Sequence, residues 1–366
     1  MKLRRALILA SALSVVAGAA SAIDLTMVSW GGAYQKSQVN AYADPYMKEN
    51  PDVHILWDSS SAEAVAKLRA MNEANNLTWD LVDVDAADSF RLCDEGLAME
   101  YNPDELLAPA PDGTPASKDF GAQIVNSCYI PQIVYSTAFG YRNDIAAWNG
   151  AEPTNICDVF DLKKFPGKRA LEKRPINNVE WALLCDGVSK EDLYKVLGTD
   201  EGVTRALKKL DTIKADTIWW SAAAETPQLL ADGEIAIGST YNGRLFSAIV
   251  EQKQPISMLW DAQVFSFDGW VIPAGLPDDR LAAVKKFLYF ATDTQRLADQ
   301  AKYISYGPAR ASSAPLVGKL EGTDIDMAPY MPTDPANSKN VIYYNFTFWA
   351  DHRDDIDAKF QAWLAQ

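Results

Sequence analysis

The chain has 366 residues, 49 of them acidic against 34 basic, for a formal charge of −15. So acidic a surface repels phosphate backbones and anionic lipid, which argues against nucleic acid as a partner and favours cations. With two histidines far apart, four cysteines and no C-x-x-C spacing, no metal site and no cofactor are expected.

The first residues, MKLRRALILASALSVVAGAASA, place Lys2, Arg4 and Arg5 before an apolar run from Ala6 to Ala17 and a small-residue Ala20-Ser21-Ala22 site. That is the pattern of a secretory signal, cleaved after Ala22, with a run too short to span a bilayer. The remaining roughly 340 residues are too many for one comfortable core and suit two domains. All four cysteines lie in this exported part, and an even count in an oxidising compartment argues for disulfides. Of the three pairings, Cys93–Cys128 with Cys157–Cys185 is favoured, because each bond closes a loop of about 30 residues, worth about 3 kcal/mol in the chain-entropy picture.

From Ile23 the pattern alternates. IDLTMVSW reads as a strand, QKSQVNAYADPYMKEN as a helix, VHILW as a strand, SAEAVAKLRAMNEAN as an amphipathic helix capped by Ser61, and WDLVDVD as a strand. Such alternation implies parallel βαβ units, in which ligands gather at the carboxyl ends of the strands. A Pro/Gly-rich loop, PDELLAPAPDGTPASKDFG, precedes YIPQIVYSTAFGYRND, a long extended run. A second alternating region follows: KFPGKRAL, the helix NVEWALLCDG, the helical stretch EDLYKVLGTDEGVTRALKKLDTIKA, then IWW, TPQLLADG and EIAIGST. PISMLWDAQVFSFDGWVIPA is a second long extended run, and helices from Asp278 to Tyr303 and from Asp351 to Trp363 complete the chain. Two extended runs so far apart read as two crossings between lobes: residues 23–135 with 266–320, and 136–265 with 321–366.

Catalytic patterns are absent: no G-x-S-x-G elbow, no phosphate loop and no H-E-x-x-H helix occurs. The distinctive material is aromatic, with 11 tryptophans and 15 tyrosines. Trp30, Tyr34, Trp219, Trp220, Tyr241, Trp270 and Tyr306 fall at loop or strand-end positions. Rings that converge with a carboxylate bind an organic cation, each ring face adding about 0.5–1 kcal/mol when exposed and around 2 when desolvated. The acids at corresponding positions are Asp85, Glu225 and Asp268. Asp268 leads them, since Phe265, Phe267 and Trp270 bracket it and an acid in so apolar a run needs a positive partner. Asp83, Asp85 and Asp88 read at least as well as solvated turn residues. In IWW, alternation sends one tryptophan into the second lobe and the other toward a cleft.

VSWGGAY, WDLVDVDAADSF, VYSTAFGYRND, PQLLADGEIAIGSTYNG, FSFDGWVIPAG and SYGPARA, in that order behind a signal, resemble the periplasmic substrate-binding proteins of ABC transporters, in the spermidine/putrescine-binding family. The resemblance implies an α/β, two-lobed periplasmic binding fold (type II), with two βαβ domains joined by crossover strands. It also implies a periplasmic monomer without enzymatic activity that delivers a small cationic ligand to an inner-membrane ABC permease. Position by position, it implies that Trp30 with Gly31 forms the first aromatic turn, Tyr241-Asn242 a second contact, Asp268 the amine-holding carboxylate, and Tyr306 and Asp85 the cleft lining. A polyamine is the first expectation. A quaternary ammonium or sulfonium zwitterion of the betaine, choline or dimethylsulfoniopropionate type, its carboxylate met by Arg174, Arg244 or backbone donors, is the alternative, with an aminophosphonate third. An exported hydrolase remains as a reading of a different class. Gly31 and Gly32 stand where polyamine-binding members carry acidic or hydroxyl residues, and Asn177 and Asn178 where they carry acids.

Overall fold

A computed structural model describes residues 22–366. The expected signal, apart from Ala22, lies outside the described residues. Among the described residues ten strands form one sheet: β1 (Ile23–Val28), β2 (Val53–Asp58), β3 (Leu81–Asp85), β4 (Ile130–Arg142), β5 (Arg169–Glu172), β6 (Thr217–Trp220), β7 (Ile237–Tyr241), β8 (Ile256–Val271), β9 (Gly307–Pro308) and β10 (Val341–Tyr343). Their order is β2-β1-β3-β8-β4-β7-β5-β6, with β10 beside β8 and β9 beside β4.

The two ends of the sheet are parallel and the middle is antiparallel. β1 pairs parallel with β2 and β3, and β5 pairs parallel with β6 and β7. Between these ends run the two long strands, of 13 and 16 residues, paired antiparallel from Ile130↔Trp270 to Arg142↔Ile256. One end of this ladder meets β3, through Val82↔Val271 to Asp85↔Asp268. The other meets β7, through Thr137↔Tyr241 to Tyr141↔Ile237. The long strands are the two extended runs of the sequence, and each belongs to both lobes.

Apolar packing divides the same way. One core gathers Leu25, Met27, Tyr42, Leu81, Ile130, Trp270 and Phe287, with a neighbouring cluster of Val28, Val82, Val84 and Val271 on the opposite sheet face. Another gathers Phe139, Val159, Phe165, Trp181, Leu210, Trp349 and Phe360. Parallel strands covered on both faces by helices present apolar side chains both ways, and β3 and β5 are buried along nearly their whole length.

Local differences from the sequence reading have physical causes. The first helix is not uniform: Gly32–Gln38 and Asp44–Glu49 are joined by a π turn over Val39–Ala43, a widening often found beside functional sites. The expected helix from Asp278 to Tyr303 is two helices, Asp278–Ala291 and Thr294–Gln300, because Asp293 accepts from the Gln295 N–H and starts the second one as its cap. The last helix starts at Phe346, five residues early, where Asn345 accepts from the Phe348 N–H. The Cys93–Cys128 and Cys157–Cys185 disulfides are both formed, with sequence separations of 35 and 28.

Candidate functional site

A cleft of about 470 Å³ opens where β4 and β8 pass between the lobes. The β1–β3 side contributes Trp30, Tyr34, Asp85, Asp268 and Tyr306, and the β5–β7 side Arg174, Asn177, Tyr241 and Arg244. Tyr135 lies on its floor, and Tyr344, Phe346 and Arg353 close one edge.

The turn after β1 presents the first ring. Gly31 has φ 72° and Gly32 φ 57°, conformations that cost little only for glycine. They fold the chain sharply from Trp30 into the helix that carries Tyr34. Trp30 is 37% exposed, while its indole Nε1–H donates to Asp83 Oδ1 at 3.2 Å and the Tyr34 hydroxyl donates to Asp83 Oδ2 at 3.0 Å. Asp83 is fully buried and also accepts from Gln38 Nε2. A continuous polar network then runs through Gln132 and Gln300 to the Tyr42 hydroxyl.

Four tyrosines carry the floor across. Tyr34 and Tyr306 have ring centroids 6.1 Å apart, Tyr306 and Tyr135 6.0 Å, and Tyr135 and Tyr241 5.7 Å in an edge-on arrangement. Tyr306 seats over the short helix Asn242–Phe246 because residue 243 is glycine; a Cβ there would lie 2.8 Å from the ring. Asn242 is not in the cleft. It is buried, accepts from the Ser136 N–H at 3.0 Å and donates to the Ser305 carbonyl, and so ties β4 to the segment that bears Tyr306.

Charge is separated along this row. On one side the carboxylates gather: Asp268 lies opposite Asp85 in the β3–β8 ladder, with Asp83 two residues along β3 on the same face. Burial pushes Asp83 up to about 8, against the hydrogen bonds from Tyr34, Gln38 and Trp30. Burial first, then Asp83 and Asp85, hold Asp268 well above the usual carboxylate range. Asp85 is raised by burial and by the Asp88 charge, with the Ala87 and Asp88 N–H groups and Arg353 opposing. On the other side stand Arg174, paired to Glu172 Oε1 at 2.6 Å, and Arg244, exposed to the cleft. The floor tyrosines are held neutral, since burial raises Tyr135 and Tyr306 above the ordinary phenol range.

Of the residues expected from sequence, Trp30, Tyr34, Asp85, Tyr241, Asp268 and Tyr306 converge on the cleft, with Gly31 as the turn behind Trp30. Trp219 and Trp220 do not. β6 is the far edge of the sheet and helices cover both its faces, so alternation sends both rings into packing. Trp220 is buried with Ala170, Leu230 and Leu245, and Trp219 packs edge-on against Phe360 and Trp363 of the last helix. Trp270 shares a face with Asp268 but lies one repeat deeper, buried against Tyr42 and Phe287. Glu225 accepts from the N–H groups of Ser221 and Ala222 and caps its own loop. Missed were Tyr135, Tyr344, Arg353 and Asp83. Asp83 had a legible signal: LVDVD puts it in as apolar a run as Asp268, where the same burial argument applies.

A two-lobed α/β fold with a polar, ring-lined cleft at the lobe junction defines a solute-binding protein of an ABC transporter that takes a small solute. A model of the bacterial extracellular solute-binding protein family matches residues 41–333. The chain belongs to that family. It is 33% identical over 350 residues to a γ-aminobutyric acid-binding protein of Pseudomonas aeruginosa, covering 96% of this chain and 93% of that one. Among solved structures it is similar to the Atu4243 GABA receptor, at 32% identity and TM-score 0.75, covering 94% and 98% of the two chains. The spermidine/putrescine-binding protein PotD of Streptococcus pneumoniae is 17% identical, with TM-score 0.69 and 93% and 99% covered, a likeness of fold alone. The family and fold are those of transport receptors, not of enzymes. Among the described residues no helix is long and apolar enough to cross a membrane.

Proposed function

We propose that the protein is an exported receptor for a short zwitterionic ω-amino acid of the γ-aminobutyrate type, which it passes to a membrane permease. The observation that carries this reading is the charge separation along the tyrosine row. The ligand's ammonium group sits by Asp268 within the rings of Trp30, Tyr34 and Tyr306, and its carboxylate faces Arg174 and Arg244. A diamine such as putrescine would bring its second ammonium group to the arginines, where like charges repel. A betaine lacks the N–H groups that a buried carboxylate needs to be satisfied. The two relatives named for γ-aminobutyrate support the same choice over the polyamine expected from sequence.

Residues 1–22 act as the export signal in this reading, and the lobes, 23–135 with 266–320 and 136–265 with 321–366, close about Tyr135 and Phe265 when ligand contacts both walls. Calorimetric titration with γ-aminobutyrate, putrescine and glycine betaine tests the ligand. A dissociation constant near micromolar, about −8 kcal/mol, is expected for γ-aminobutyrate, with the other two at least a hundredfold weaker. Tighter binding of putrescine would overturn the assignment. N-terminal sequencing of the exported protein checks cleavage before Ile23.

A further inference from the structure

Asp83 touches no part of the cleft surface, yet it is the group on which two of the cleft's rings depend. Trp30 and Tyr34 both donate to it, one to each carboxylate oxygen. Its position relative to the other acids follows from the ladder. Asp85 is directly across from Asp268, and Asp83 is one strand repeat away on the same face, which puts the Cβ atoms of the three within roughly 5–8 Å of one another. Asp83 is fully buried, while Asp85 and Asp268 are half-buried in the cleft wall, and carboxylates so close together resist being charged at the same time without a cation between them.

Among the described residues no cation is set against Asp83 or Asp268, and of the three acids Arg353 faces Asp85 alone. From the turn and first helix come Trp30, Tyr34 and Gln38, and from β4 and the segment before it Gln132, Tyr135 and Tyr129. Burial keeps the phenols of Tyr34, Tyr129 and Tyr135 protonated. Tyr42 from the π turn, with Asp299 beyond it, lies behind Asp83 and is likewise neutral. Tyr306 from the same wall and Tyr241 from the opposite one face Asp268, with Arg244 behind them, and Arg353 faces Asp85 and Asp88 rather than Asp83.

We propose that Asp83 and Asp268 share one proton in the empty cleft and that the ligand's ammonium group takes its place, so that binding expels a proton to solvent. Charge balances in the exchange: a neutral carboxylic acid gives its proton to water, and the carboxylate left behind is matched by the ammonium. Asp83 is a positioning residue here. It orients Trp30 and Tyr34 and sets how many negative charges the cleft holds when empty, which selects one ammonium group. This inference rests on the ammonium-at-Asp268 reading above. The direction of the shift to about 8 at Asp83 agrees with it.

Two measurements on the full mature protein test it. In the first, γ-aminobutyrate is titrated calorimetrically at pH 6.5–7.5 in buffers of low and high ionisation enthalpy. The wild type is expected to release about one proton, and Asp83→Asn and Asp268→Asn almost none. Apparent affinity should tighten up to about tenfold per pH unit from pH 6 to 8 and level off above. Binding with no buffer dependence in the wild type overturns the shared proton and leaves the ligand assignment intact. In the second, the aspartate carboxyl carbons of the unliganded protein are followed by NMR, which does not depend on the ligand. One carboxyl titrating near neutral pH, and lost in Asp83→Asn, supports the proposal even if γ-aminobutyrate proves not to bind. Aspartates that all titrate in the ordinary acidic range overturn it.

Discussion

Replacing Asp268 with asparagine separates what this side chain does for the ligand from what it does to the empty protein. The change is nearly isosteric, so the β3–β8 ladder and the rings around it are kept, while the charge that meets the ammonium group is removed. Removing one partner of a desolvated charge pair costs about 2–5 kcal/mol, or roughly thirty- to several thousandfold in dissociation constant. The empty protein should respond in the opposite sense. Burial, then Asp83 and Asp85, hold the Asp268 carboxyl above its unfolded range. Between the unfolded value, near 4, and the raised folded value, the native state holds a proton that the unfolded chain has lost, so stability falls as pH rises through that window. The substituted asparagine carries no such proton. The variant should therefore match the wild type at pH 4 and melt at the same or a higher temperature at pH 8. Differential scanning fluorimetry with and without γ-aminobutyrate reads both effects. Ligand at a hundred times its dissociation constant adds about 2.7 kcal/mol to the wild type, a rise of several degrees that the variant should lack at the same concentration. A variant that melts lower at pH 8 yet keeps the full ligand-induced rise would refute the reasoning.

At the other end of the cleft, Arg244→Ala is expected to weaken γ-aminobutyrate at least tenfold while improving putrescine relative to the wild type, as titration of both would reveal. Glu180 is buried beneath the last helix, accepts from Trp349 Nε1 at 2.8 Å and is pushed up by burial to about 7. By the same sign, Glu180→Gln should gain stability over the wild type as pH rises from 5 to 8, by an amount on the order of 3 kcal/mol at most, measured by denaturant melts at both pH values. Trp220→Ala should lose about 3–5 kcal/mol of stability and leave the dissociation constant of the folded fraction within twofold; a large loss of affinity would return Trp220 to the binding site. Replacing both Cys93 and Cys128 with serine should lower stability by about 3–4 kcal/mol through the freed 35-residue loop, seen as a lower denaturation midpoint that reduction of the remaining disulfide lowers further.

Local pattern made the βαβ alternation and the two long crossing strands legible: an unbroken extended run in YIPQIVYSTAFGYR, buried along nearly its whole length, and period 3.6 in SAEAVAKLRAMNEAN. The disulfides were legible for a related reason, since loop length is a property of the chain. Site residues were legible where a strand end or turn leaves a ring no core to enter. Trp30 after β1, Tyr241 at the end of β7 and Tyr306 after a loop are such cases, and Asp268 announced itself by its cost.

The rings of Trp219, Trp220 and Trp270 were legible only as large aromatic groups. Whether such a ring lines a cleft or fills a core depends on what covers the strand. β6 lies at the far edge of the sheet under the last helix, which begins only at Phe346. Asp83 shows the converse. Local pattern makes it a turn acid or a buried one with equal ease, and only the arrival of Tyr34, Gln38 and Trp30 on the same carboxylate decides. The amino-acid sequence by itself determined the class of fold, its two crossings, its disulfides and a candidate set of strand-end residues, all consequences of short-range pattern and composition. Which rings face the cleft, which two aspartates line it with a third behind them, and which arginines stand across from them were decided by tertiary structure. Those relations join segments far apart along the chain, and no periodicity reaches that far.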